Sequence, residues 1–178
     1  AMADPSTSRY VKERLDHSAA VAASTAITNT TTPTAFSLQY TIPANRLTAG
    51  SVIKIGYQGI TTAQNSSDTL RIIAYIGTAA PTTGTALITT TAVDQVANDI
   101  FVGDFNVVVR TIGSAGTLVG YGSASNADAV GTPTSSASVA STAIDTTVAQ
   151  IIWITATWSV ANAGNSCRLD VLNVDVAL

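Results

Sequence analysis

The chain has 178 residues and a mass of 18.1 kDa, the size of one domain able to bury a core of its own. Only 11% of residues are charged, against about 25% in ordinary domains, with a formal net charge of −3 and a sequence pI near 4.7. That balance excludes the basic stripe a nucleic-acid surface needs, and no apolar run is long enough for membrane insertion.

The first seventeen residues differ from the rest. Asp4, Arg9, Lys12, Glu13, Arg14 and Asp16 crowd there, and Ala1 before Met2 reads as a cloning remnant. Ser6 is placed to cap a short helix, with Tyr10, Val11 and Leu15 as a narrow apolar face. This segment is either an arm that docks on a neighbouring subunit or a frayed terminus. No secretory signal is readable, because Pro5 and charges stand where an apolar core should follow. Residues 18–32, rich in small side chains, read as a linker, so residues 1–32 form arm and linker and residues 33–178 the body.

The body turns to period two. TAFSLQYTIP (34–43) places Phe36, Leu38, Tyr40 and Ile42 on one strand face, with prolines at both ends stopping the ladder. After the turn PANRLTAG (43–50), residues 51–60 alternate Ile53, Ile55 and Tyr57. Residues 69–76 align Leu70, Ile72, Ala74 and Ile76, and GTAAPTTGT (77–85) reads as a loop before a short strand near 87–93. Residues 101–111 turn Phe101, Phe105, Val107 and Val109 inward and pair with 117–123 through IGSAG (112–116). A polar loop (125–136) and a weak strand (138–144) precede the last two strands, 147–160 and 167–178, hinged at ANAGN (161–165). About eight strands at this spacing, with no helical period in the body, predict an all-β, jelly-roll-like antiparallel sandwich.

Side-chain chemistry is sparse. Cys167 alone allows no internal disulfide and no multi-cysteine metal site; it reads as a small buried thiol. His17, the one histidine, lacks the partners that catalysis or zinc binding requires. Asp68, Asp94, Asp99, Asp104, Asp128 and Asp145 stand before or between strands, where aspartates cap turns through their own backbone. Calcium binding or paired-carboxylate catalysis is the alternative, without a specific spacing to support it. Asp170 and Asp175, five apart, should face opposite sides of a regular strand. No nucleophile elbow, phosphate loop or dinucleotide fingerprint occurs, so neither an enzyme nor a cofactor is expected.

Trp153 and Trp158 are also five apart on one strand, which puts large apolar groups on both faces. One of them is then a subunit contact, a sugar-stacking platform, or a ring covered by the chain itself.

Three segments carry a resemblance: YTIPANRLTAGSVIKI (40–55), VVVRTIGSAGTLVGYG (107–122) and DTTVAQIIWITATWSVANAGNSCRLD (145–170). They resemble, in order, a family of small bacteriophage or prophage virion proteins with a jelly-roll β-sandwich domain. The resemblance implies a non-enzymatic head-decoration, head-fibre or tail-associated part, assembled in the host cytoplasm into the virion. It implies self-association, often as a trimer, and attachment to capsid or tail proteins, with no catalytic residue, metal or cofactor. Candidate contacts are Trp153, Trp158, Tyr10, Val11 and Leu15. The competing expectation is a carbohydrate-binding sandwich that recognises host-surface glycans.

Overall fold

The structure is a computed structural model that describes residues 14–19, 22–126, 134–137 and 142–178, with 14–19 and 134–137 as backbone path. Among the described residues there are thirteen strands and no helix. The strands are β1 (Arg14–Ala19), β2 (Ile27–Thr28), β3 (Thr34–Ile42), β4 (Val52–Ala63), β5 (Thr69–Ala79) and β6 (Thr83–Thr89). They continue with β7 (Val93–Asp94), β8 (Ile100–Thr111), β9 (Gly116–Asn126) and β10 (Thr134–Ala137). The last three are β11 (Thr142–Ile144), β12 (Gln150–Trp158) and β13 (Ser166–Ala177).

They form an eight-stranded sheet ordered β1-β13-β4-β8-β9-β10, with β2 also on β13 and β11 on β9. A five-stranded sheet ordered β3-β12-β5-β6, with β7 on β5, packs against it. Every described pairing is antiparallel. Take β2, β3, β4, β5, β6, β8, β12 and β13 as eight strands in chain order. They then fall into the sheets as first–eighth–third–sixth and second–seventh–fourth–fifth. Two interleaved Greek keys of this kind make a jelly roll, and β9 to β11 widen one sheet beyond it.

Alternation places the core. Phe36 and Ile42 of β3, Ile53, Ile55 and Tyr57 of β4, and Leu70, Ile72, Ala74 and Ile76 of β5 are buried, with Leu38 and Tyr40 packed partly buried beside them. From β8, which pairs with β4 in the eight-stranded sheet, Phe101, Phe105, Val107 and Val109 complete the layer. Phe36 stacks on Phe101 across the sandwich at 5.9 Å between ring centroids, and Tyr57 meets Phe105 edge-on at 6.5 Å. Such ring pairs add roughly 0.5–1.5 kcal/mol beyond their burial.

Three local expectations differ from the structure. The expected arm helix took in Leu15, but Arg14–Ala19 pairs as a strand along β13, opposite Val174 at Ser18 and Asp175 at His17. An unpaired strand edge offers a row of backbone donors and acceptors, and extended backbone satisfies them; Tyr10 and Val11 lie outside the described residues. Part of the expected linker is likewise built into the fold. Ser24 donates its backbone N–H to Leu169 O at 2.7 Å and accepts from Leu169 N–H through Oγ at 2.9 Å, while Ile27 is buried in the core. The expected loop at 77–85 is a tight hairpin, with β5 and β6 paired as far as Ala79 and Thr83 around a cis Ala80–Pro81 peptide. Gly77 faces Gly84 there, and a Cβ on Gly77 would stand 2.1 Å from Thr83 O. Glycine is what lets these strands close so tightly.

Candidate functional site

Neither tryptophan is an exposed contact. Trp158 points inward with Ile152, Ile154 and Ala156 and joins the core. Trp153 lies on the other face of the five-stranded sheet, as the spacing predicts, yet it is fully buried. Its indole stacks on Tyr75 of the neighbouring strand at 5.5 Å and 11°. It also covers Gly84, where a Cβ would come 2.2 Å from Trp153 Cη2. Neither ring offers a face to a ligand.

The aspartates divide by task. Asp145 accepts from Thr147 N–H and its hydroxyl at 2.9 and 2.6 Å, and Asp99 accepts from Val96 N–H at 2.9 Å, the turn-capping role expected of loop aspartates. Asp68 accepts from Asn165 Nδ2 at 2.9 Å, and Asn165 Oδ1 in turn accepts from Asn65 N–H at 2.9 Å. The fully buried Asn165 of the GNS motif therefore ties the β12–β13 loop to the β4–β5 loop. Asp128 lies outside the described residues. Among the described residues no group of three or more His, Cys, Asp or Glu is placed to hold a metal ion.

Asp170 and Asp175 do not behave as a regular strand requires. The pairing of β13 with β4 slips between Leu169 and Val171, so Asp170 is an extra residue. Before the slip Cys167 and Leu169 are buried; after it Leu172, Val174 and Val176 are. One inserted residue turns Asp170 to the same outer side as Val171, Asn173 and Asp175. Arg168 pairs with Asp170 there at 2.7 Å, an exposed contact of small energetic value.

The bulge helps shape a groove of about 690 Å³ on the outer face of the eight-stranded sheet. The ladder registers arrange its floor as three short rows across β13, β4 and β8. The first is Asp175–Lys54–Asn106, the second Asn173–Gly56–Asp104, and the third Val171–Gln58–Val102. Tyr121 of β9 stands opposite Asn106, 64% exposed. The groove thus has amides and carboxylates around one open centre, half-exposed valines at one end and an aromatic ring beyond the other. Among the described residues that line it, two carboxylates and one ammonium give a net charge of −1 in the ionised forms. Asn173 Oδ1 is buried and has no hydrogen-bond partner in the protein. An unsatisfied buried acceptor of this kind calls for a donor from outside.

Sequence reasoning assigned the inward residues of β4 and β8 and did not bring the outer residues of β4, β8 and β13 together. Their polar alternation is the ordinary signature of a solvated sheet, and the frame that gathers them depends on the bulge. Two further titratable groups sit behind this face. Burial pushes the Tyr57 hydroxyl well above the usual phenol range. Burial also pushes the Cys167 thiol up to about 12, against a smaller lowering by the Trp158 side chain.

The fold and this face together define an all-β jelly-roll sandwich with a polar groove on its larger sheet. No family model matches the sequence, and no curated protein matches it. Among solved structures the chain is similar to the metal-free form of lectin I-B4 from Griffonia simplicifolia, with 8% identity and a TM-score of 0.34. That match covers 81% of this chain and 79% of the lectin.

Proposed function

We propose that the protein is a non-enzymatic binding module whose ligand is a carbohydrate held on the outer face of the eight-stranded sheet. The observation that carries this reading is the groove itself. Asn106, Asn173, Asp104 and Asp175 present planar amides and carboxylates at fixed strand spacing with the Lys54 ammonium beside them, which suits the alternating hydroxyls of a sugar. A few placed polar groups in a concave, pre-formed site are the usual basis of small-ligand specificity. The test is retention of the full chain on a printed glycan panel, with displacement by the free oligosaccharide. Specific, displaceable retention supports the reading, and no retention across the panel overturns it.

A second reading is a bacteriophage virion component that self-associates and attaches to a capsid or tail, through its sandwich or its N-terminal strand. The resemblance of three segments favours it, as do Val96 and Ile100, 42% and 46% exposed near the start of β8. Light scattering after size exclusion, on the full chain and on one starting at Ser18, separates the cases. A trimer supports this second reading, and a monomer at micromolar concentration overturns it.

A further inference from the structure

Gly56 stands in the middle of a central strand, where a glycine gives up side-chain packing and is found when something must approach the backbone closely. Nine other glycines in the described residues have local reasons. Six would drive a Cβ to within 3 Å of a neighbouring atom, Gly103 meeting the Tyr57 ring at 2.3 Å among them. Gly50 and Gly113 hold φ angles of 93° and 103°, and Gly164 is 3.2 Å from Asn162 Oδ1 in a turn. Gly56 has no such reason. Its φ is not in the left-handed region, and the one atom within 4 Å of an added Cβ is Asn173 Cβ, at 3.9 Å.

The missing side chain opens the centre of the groove. Asn173 and Asp104 flank Gly56 on the two neighbouring strands, two strand spacings or about 9–10 Å apart along the ladder. We propose that Gly56 is the floor of a notch that seats one uncharged sugar residue of a glycan between Asn173 and Asp104. This rests on the carbohydrate-binding reading and specifies its ligand. The Asn173 amide, whose Oδ1 is buried without a partner, turns this oxygen to accept a hydrogen bond from a hydroxyl on one edge of the ring. The Asp104 carboxylate takes one from the other edge, a charge-assisted bond of the stronger kind. Val102 and Val171, 37% and 42% exposed, offer apolar contact to the C–H face of the next residue along the groove.

Other ligand chemistries fit less well. β4 is paired on both sides, so it has no open edge for an added peptide strand. Sialic and uronic acids, phosphates and nucleic acids would bring negative charge beside Asp104 and Asp175, with Lys54 as the one cation among the described residues of the floor.

The experiment screens the full chain against neutral hexose and N-acetylhexosamine oligosaccharides, with sialylated and uronic-acid oligosaccharides as the counter-set. The retained oligosaccharide is then titrated calorimetrically into wild type, Gly56→Val, Gly56→Ala and Asn173→Ala, with melting temperature checked for each. The expected result is retention of neutral glycans and at least a tenfold loss of affinity in Gly56→Val and Asn173→Ala at unchanged melting temperature. If Gly56→Val does not fold, Gly56→Ala and Asn173→Ala carry the test. Wild-type affinity in folded Gly56 and Asn173 variants overturns the notch while the carbohydrate reading stands. Retention of acidic glycans alone overturns the ligand class, and no retention of any glycan overturns notch and reading together.

Discussion

Replacing Tyr57 by Phe should stabilise the protein, although it removes a polar group from the heart of the sandwich. The Tyr57 ring packs edge-on against Phe105 and across Gly103, and its hydroxyl oxygen is buried without a hydrogen-bond partner. Burying a hydroxyl unpaired costs roughly 1–3 kcal/mol on protein mutational data. The void left by one oxygen takes back a few tenths, at about 24 cal/mol per Å³. The net expectation is a gain of about 1 kcal/mol, or about 2–4 °C in melting temperature at this chain length. Urea unfolding at pH 7 and pH 11 provides the assay, and the second pH supplies an independent signature. Burial holds the phenol protonated in the folded state above its usual value near 10. Above pH 10 the unfolded chain therefore binds fewer protons than the folded one, and wild-type stability falls by about 1.4 kcal/mol per pH unit from this group. Phenylalanine has no such loss, so its advantage should widen above pH 10. A destabilisation of 1 kcal/mol or more at pH 7, or a gap that does not widen at pH 11, would refute the argument.

Two other groups make direct predictions. Cys167 is buried with its thiol pushed up to about 12, so at pH 8 it should resist a thiol reagent in the folded protein and react fully in urea, as mass spectrometry will record. Asn126 is fully buried and donates through Nδ2 to Leu70 O at 3.0 Å and Thr90 Oγ1 at 2.9 Å, bridging the two sheets. Asn126→Ala should therefore cost about 1–3 kcal/mol in urea unfolding, from the lost hydrogen bonds and a void, less the relief of its buried Oδ1, which has no partner.

The legible parts of the fold are those where each residue gives a strong local signal. Strands with one buried face announce themselves, because a one-residue slip would turn every apolar group to water. Phe101, Phe105, Val107 and Val109 could be assigned inward on that ground alone. The Trp153–Trp158 spacing correctly put the rings on opposite faces, but spacing does not tell whether an outer ring is covered. Tyr75 and Gly84, which hold Trp153, come from strands whose neighbours only the topology decides. The Asp170 bulge was illegible for a related reason. A single inserted residue leaves no compositional trace, yet it reverses the facing of the residues on one side of it relative to those on the other. The groove was missed with it, since Asn173, Gly56 and Asp104 lie far apart in sequence and meet only through the ladder.

The position of β13 has a consequence for how the chain reaches this state. β13 pairs with β1, β2 and β4, three strands that end by Ala63. Until β13 exists, β4 lacks one ladder partner and the inner faces of both sheets stay partly open to solvent. A nascent chain must therefore hold Ile53, Ile55 and Tyr57 against collapse with the wrong partner while most of the remaining sequence is synthesised. Distant pairings of this sort are slow to form and leave strand edges open to other chains meanwhile. The scarcity of charge, so quiet in the finished sandwich, leaves few like-charged neighbours to keep such half-built edges apart.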